Sequence, residues 1–325
     1  MAIANSDVPN WHCQSCYHLN SYLADSAHRR ARSTEVNPMS GDPGPMVRRR
    51  QLSALLHRYR LASGKSVKEV AERLFEAPSK VTRIEKGQRL ATVRDIADLS
   101  RIYDLPDDVR DQLMDLARGS RERQWWQRPD LSPALQILIG MEGTAQSISE
   151  FELTLVPGLL QTSEYADALL RRWVLDAGKR SELVAVRMRR QEILRPGSSP
   201  ALRVVVDEAV LRRQVGGPEV MREQLSHVSE LATSGICDFR VIPFGVSEPV
   251  GVKNGFTVLE FGNLTALPDA TPIPGVLFLE LSDGDRYLDD PDQIEYHLSY
   301  FQSLQAQALT SEESINIIRT AIADI

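Results

Sequence analysis

A chain of 325 residues, 42% hydrophobic and 25% charged, can bury a sizeable core and is expected to divide into one small and one larger folded unit, since domains hold about 100 to 200 residues. No stretch approaches the roughly 18 unbroken apolar residues of a membrane span, which excludes a transmembrane reading. The net charge of −6 argues against a polyanionic partner until its distribution is considered. Residues 47–89 hold twelve Lys or Arg against four Glu, a local +8 that leaves −14 elsewhere. A basic island on an acidic chain suits binding to a phosphate backbone, and equally suits a solvated helix face. Three cysteines, Cys13, Cys16 and Cys237, give no even disulfide framework, and the start lacks the basic-then-apolar pattern of a signal peptide. A reducing, cytoplasmic setting is expected.

In chain order, residues 1–46 read as a disordered tail that ends in the Pro- and Gly-rich run 38–45, with Met39 and Met46 as alternative starts. A helical pattern then begins: Leu52, Leu55, Leu56 and Tyr59 fall on one face, and Gly64 stops it. Ser66 and Glu69 have the spacing of a capping box for a second helix, lined by Val67, Val70, Ala71 and Leu74. Pro78 opens a third, with Val81 and Ile84 turned inward and Gly87 at its end. Two further amphipathic helices carry Val93, Ile96, Leu99 and Tyr103, then Val109, Leu113 and Leu116. This gives a mainly α, five-helix DNA-binding domain at 47–118, followed by a linker at 119–133 in which Trp125 and Trp126 are expected to dock. An α+β domain fills 134–325. Helices are expected at 135–150, 163–174, 181–194, 219–232, 291–308 and the chain end, and strands at 202–206, 239–243, 256–261 and 276–281.

Two short helices joined by a tight turn, with a small residue such as Ala71 where they cross, are the core of a helix-turn-helix. Across about 49–117 the sequence resembles the phage-repressor type, the Xre family, most clearly in Ser79-Lys-Val-Thr-Arg-Ile-Glu-Lys-Gly87. Together with Arg48-Arg-Arg-Gln-Leu, Val70-Ala-Glu-Arg-Leu, Trp125-Trp, Phe151-Glu, Leu155-Val-Pro-Gly-Leu-Leu-Gln-Thr and Val241-Ile-Pro-Phe, it resembles the WhiJ-like regulators of filamentous sporulating bacteria. The resemblance implies regulation of transcription and supplies no ligand. One departure is Phe75, at the turn position where the family has glycine. Either the turn differs, or Phe75 is strained in exchange for packing.

Carried over residue by residue, the resemblance puts Pro78, Ser79, Lys80 and Arg83 at base edges, with Arg83 suited to bidentate contact with guanine. Arg48, Arg49, Arg50, Thr82, Lys86 and Arg89 are assigned to the DNA backbone. The competing structural roles are a helix-capping hydroxyl for Ser79 and an ion pair with Glu85 or Glu76 for Arg83. Glu85 itself reads as a structural partner. Double-stranded DNA bound by a homodimer is the expected partnership.

Other constellations fall short of chemistry. Cys13, Cys16, His12 and His18 offer zinc-type ligands without a second pair to close a loop. His227 and His297 read as ordinary helix residues, and the acids around Asp285 and Asp290 read as turns. No catalytic residue, cofactor or metal is expected, and the protein is taken not to be an enzyme. Val156, Pro157, Leu159 and Leu160 either line a ligand or partner surface or plug the core. The C-terminal domain is expected to receive a signal from a small partner protein or a ligand. An antitoxin-like scaffold and an enzyme fused to a DNA-binding module are the alternatives, and the enzyme would need polar residues converging on one pocket.

Overall fold

A computed structural model describes residues 44–122, 124–128, 130–194, 200–246, 254–262, 275–281 and 284–325. The tail and its Cys13, Cys16, His12 and His18 therefore lie outside the described residues. The first part of the chain is α1 (Pro45–Ala62), α2 (Val67–Leu74), α3 (Pro78–Glu85), α4 (Val93–Ile102) and α5 (Asp107–Gly119). Leu52, Leu55 and Leu56 of α1 meet Val70 and Ala71 of α2, Val81 and Ile84 of α3, Ile96 and Leu99 of α4, and Leu113 of α5 in one apolar cluster. Each fully buried side chain of this kind contributes about 1.5–3 kcal/mol. The ends are set locally. Ser66 Oγ accepts from Glu69 N at 3.2 Å while Ser66 N donates to Glu69 at 2.8 Å, which completes the capping box, and Gly64 and Gly87 take left-handed conformations at φ +67° and +65°.

The rest is α6 (Pro133–Glu142), β1 (Ser147–Glu152), α7 (Ser163–Leu170), α8 (Ala177–Arg190), β2 (Ala201–Asp207), α9 (Ala209–Arg212), α10 (Pro218–Thr233), β3 (Cys237–Ile242), β4 (Phe256–Glu260), β5 (Val276–Leu279), β6 (Arg286–Leu288), α11 (Pro291–Gln307) and α12 (Ser311–Ala323). The strands form one mixed sheet in the order β3-β2-β1-β4-β5-β6. β1 pairs in parallel with β2, and β2 with β3, whereas β4, β5 and β6 continue antiparallel from β1. One face packs residues such as Ile148, Val204, Phe239 and Phe278 against α6, α7, α10 and α12. The other packs Phe151, Val205, Phe256 and Val258 against Ile294, Phe301 and Leu304 of α11.

The helix expected over 135–150 is corrected: it ends at Glu142, and Ser147–Glu152 is a central strand. Ile148 and Phe151 enter the clusters on opposite faces of the sheet, the alternation of a strand buried on both sides. The short β6 and α9 were not expected from the sequence.

Trp125 and Trp126 are docked edge to face, with centroids 5.5 Å apart. They pack with Leu131, Ile139 and Val186, and Arg189 lies 4.5 Å over the Trp125 ring. The two parts also share α1. Its first turn sends Val47 into the C-terminal core, and Arg50 donates to Tyr287 Oη and, at 3.3 Å, to Gly275 O.

Candidate functional site

Helix α3 presents two faces. Val81 and Ile84 are buried against α2 and α1, and Ser53 Oγ of α1 donates to Ile84 O at 2.7 Å. Ser79, Thr82, Arg83 and Lys86 follow the spacing i, i+3, i+4 and i+7 along the opposite side; Ser79, Arg83 and Lys86 are exposed and Thr82 half-buried. Pro78 and Arg89 are also exposed. Ser79 is not the helix cap, because Ala77 occupies that position without a side-chain bond. Arg83 Nε donates to Ser79 O at 3.2 Å. Both acids that could have held Arg83 are engaged elsewhere. Glu85 receives Arg60 at 2.7 and 3.1 Å and lies 2.8 Å from His57 Nδ1, and Glu76 receives Lys80 at 2.9 Å.

Lys80 is the first correction to the reading set. Its residue is 8% exposed, and its Nζ sits 2.6 Å from Asp95 and 2.9 Å from Glu76. Burial pulls the ammonium pKa down, but the bonds to Asp95 and Glu76 outweigh it and raise the pKa. Asp95 is likewise pushed up by burial and brought below the usual carboxylate range by Lys80 and Thr92. An ammonium held between two carboxylates cannot reach a base edge without leaving one of them buried and unpaired.

The arginine run is the second correction. Arg48 packs over Gly119 at the end of α5. Arg49 is half-buried with its Nε unpartnered among the described residues, and burial lowers its pKa. Arg50 is bound to Tyr287 and Gly275. Arg50 joins the two halves of the molecule and Arg49 lies near the same Tyr287, because the first turns of α1 lie against the C-terminal part, whereas Arg48 stays on α5.

Phe75 settles the turn. It is left-handed, with φ 54° and ψ 41°, and its side chain is 96% exposed. The tight turn is therefore kept, and no packing of the phenyl ring offsets the strain.

In the C-terminal part, Leu159 and Leu160 are fully buried and plug the core, so they form no surface. The loop around them is held by side chains: Gln161 Nε2 donates to Val156 O at 2.7 Å, Gln224 Nε2 to Leu160 O at 2.7 Å, and Gln191 Nε2 to Gly158 O at 3.1 Å. These amides let an irregular segment sit inside without orphaned carbonyls. Val156 also borders a cavity of about 560 Å³ at the carboxyl end of β1, beside the start of β4 and the end of β5. This is the edge of the parallel half of the sheet, where open sheets commonly leave a ligand crevice.

The cavity walls combine leucines, Phe256 and Phe278 with Glu150, Glu152, Glu280, Arg187 and Arg190. Arg190 is tied to Glu142 by two bonds of 2.6 and 2.5 Å, and Arg187 Nη1 donates to Gln161 Oε1 at 2.6 Å. Glu150 is 5% exposed, and its Oε2 has no hydrogen-bond partner among the described residues. Leaving such an acceptor unsatisfied costs about 1–3 kcal/mol. Burial pushes the Glu150 carboxyl up to about 8 and the Glu152 carboxyl up to about 9.

Residues 135–320, more than half the chain, match the family described as "Domain of unknown function (DUF5753)". The chain belongs to this family. Residues 51–113 match a helix-turn-helix domain, which supports DNA binding and a role in regulating transcription. No curated protein and no solved structure matches. No helix among the described residues is long and apolar enough to cross a membrane.

Within the DUF5753 domain, Glu150, Glu152, Arg187 and Arg190 went unnoticed in the sequence. A signal was present. Ile148, Glu150 and Glu152 fall on one side of a period-two pattern, and two acids on the apolar side of a strand call for a cavity or a partner. The helical assignment of 135–150 concealed it. His297, by contrast, is placed as expected, with its ring against Phe256 at 5.1 Å.

Proposed function

We propose that this DUF5753-family chain is a sequence-specific transcriptional regulator of the WhiJ-like Xre type, bound to DNA as a homodimer. Helix α3 lies in the major groove, and activity is set through the C-terminal domain by a ligand or a small partner protein. The observation that carries this reading is the stripe of Ser79, Thr82 and Arg83 on α3 and Lys86 at its end, with Glu76 and Glu85 both paired with intramolecular cations. Arg83 and Ser79 read bases; Thr82, Lys86 and Arg89 hold phosphates. Modulation is supported by α1, which contributes Leu52 and Leu56 to one core and Val47 to the other.

Genome-wide footprinting of the tagged protein tests the reading and yields the operator. Half-sites about 34 Å apart are expected for a dimer. On that operator, Arg83→Ala weakens binding by about 1–3 kcal/mol and relaxes specificity, whereas Lys86→Ala flattens the salt dependence. Unchanged affinity in Arg83→Ala at fixed salt removes Arg83 from the reading set.

A second reading, a catalytic C-terminal domain, is favoured by one observation: Glu150, Glu152 and Arg187 converge on a single cavity. The shared helix α1 favours signal reception, because a catalytic domain has no need of a rigid joint to a DNA-binding core.

A further inference from the structure

Acidic groups outnumber basic ones around the cavity at the end of β1, and their hydrogen bonding is unequal. Its arginines already have partners: Arg190 holds Glu142 and Arg187 holds Gln161. On the acidic side, Glu150 is nine-tenths buried with an unpartnered oxygen, and Glu152 and Glu280 line the same space. A metal ion does not fit, since no group of three or more His, Cys, Asp or Glu among the described residues is arranged to hold one. The volume of about 560 Å³ also suits an organic molecule. Its remaining walls, Leu138, Leu169 and Phe278, are apolar, and Trp173, 70% exposed, stands at the cavity.

We propose that this cavity binds an organic ammonium ligand, with the protonated amine between Glu150, Glu152 and Glu280 and an apolar body against Leu138, Leu169 and Phe278. The site rests on the reading that the C-terminal domain receives a signal, and it names the chemical class of that signal. A protonated amine donates to the orphan oxygen of Glu150 and stabilises the ionised forms of Glu150 and Glu152 that burial otherwise disfavours; a neutral donor does only the first, and an anion does neither. Glu142 from α6, Arg187 and Arg190 from α8, Tyr165 from α7, Cys237 from β3, and Glu280 and Asp285 beside β5 and β6 surround the Glu150 and Glu152 carboxyls. Burial keeps both carboxyls protonated at neutral pH in the empty cavity. Amine binding therefore expels protons, and affinity rises with pH from about 6 to 8.

Isothermal titration of the full chain without DNA tests this with three probes of matched shape: phenethylamine, phenylpropanol and hydrocinnamate. The amine is expected to bind at least tenfold tighter than the alcohol, with no binding by the carboxylate. Buffers of different ionisation enthalpy should reveal proton release. Glu150→Gln and Glu152→Gln, which keep the shape of the neutral carboxyls, should each weaken amine binding tenfold or more while leaving the thermal midpoint near that of the parent. Absence of binding by all three probes, equal binding of alcohol and amine, or undiminished amine binding in both variants overturns the proposal. Should Glu150→Gln not fold, Glu152→Gln carries the same test. Operator binding by the same preparations reports on the regulator reading alone, so a chain that binds DNA and no amine loses only the ammonium site.

Discussion

The left-handed Phe75 and the buried pair Lys80–Asp95 set the local terms on which α3 is presented. A bulky side chain in the left-handed region costs about 1–2 kcal/mol, and a ring that is 96% exposed recovers none of it by packing. Phe75→Gly is therefore expected to raise stability by up to about 1 kcal/mol, the gain being trimmed by the added freedom of glycine in the unfolded chain. Urea denaturation measures it, and an unchanged or lowered midpoint refutes it. Asp95 caps α4 together with Thr92 and holds Lys80, so one carboxylate fixes both the start of α4 and the seat of α3. Its folded pKa is depressed, so its contribution is present above the unfolded value of about 3.9 and is lost as pH falls through the folded one. The pKa of Lys80 is raised, so its share is present below about 10.4 and is lost only as pH climbs past the folded value. The unfolding free energy of Asp95→Asn should accordingly depend less on pH below about 4 than that of the parent, and Lys80→Ala should cost about 2 kcal/mol at neutral pH.

Among the elements, β1 decides most. It lies between β2 and β4, sends Phe151 into the α11 side and places Glu150 and Glu152 at the cavity. Phe151 is fully buried and touches Phe256 at a centroid distance of 5.9 Å. Its replacement by alanine is expected to cost about 3–5 kcal/mol in denaturant unfolding. A cost below 1 kcal/mol would mean that the site collapses around the vacancy. Helix α8 acts on the same region through Arg190 and Glu142. Losing one partner of so buried a pair costs about as much, because the other charge stays behind.

Across the molecule, α1 and the β5–β6 pair form the joint. Phe278, on the cavity, is directly opposite Tyr287 in the sheet, and Tyr287 receives Arg50 of α1. Val47 and Arg50 thus bind the helix-turn-helix to the C-terminal domain. The parent is expected to melt in one thermal transition and Tyr287→Ala in two, the first belonging to the DNA-binding helices. A single unshifted transition in calorimetry would show that the joint carries little coupling energy.

Local chemistry made much of this legible. Apolar periodicity located all five N-terminal helices, Ser66 and Glu69 announced a capping box, and runs of β-branched and aromatic residues marked β2 to β5. Those features arise from contacts within a few residues, so they are written along the chain. Which cations are engaged within the molecule was decided only by the tertiary structure, because an ion pair such as Lys80–Asp95 or a bond such as Arg50–Tyr287 joins distant segments. The same holds for β1, whose strand identity depends on β2 and β4 beside it, and for the cavity, which exists only where β1, α6, α8 and β5 meet. The sequence by itself determined a basic helix-turn-helix ahead of an α+β domain. The structure decided that Ser79, Arg83 and Lys86 stay exposed on one side of α3 while Lys80 is tied down, and that the acids of β1 line a cavity in the domain that follows.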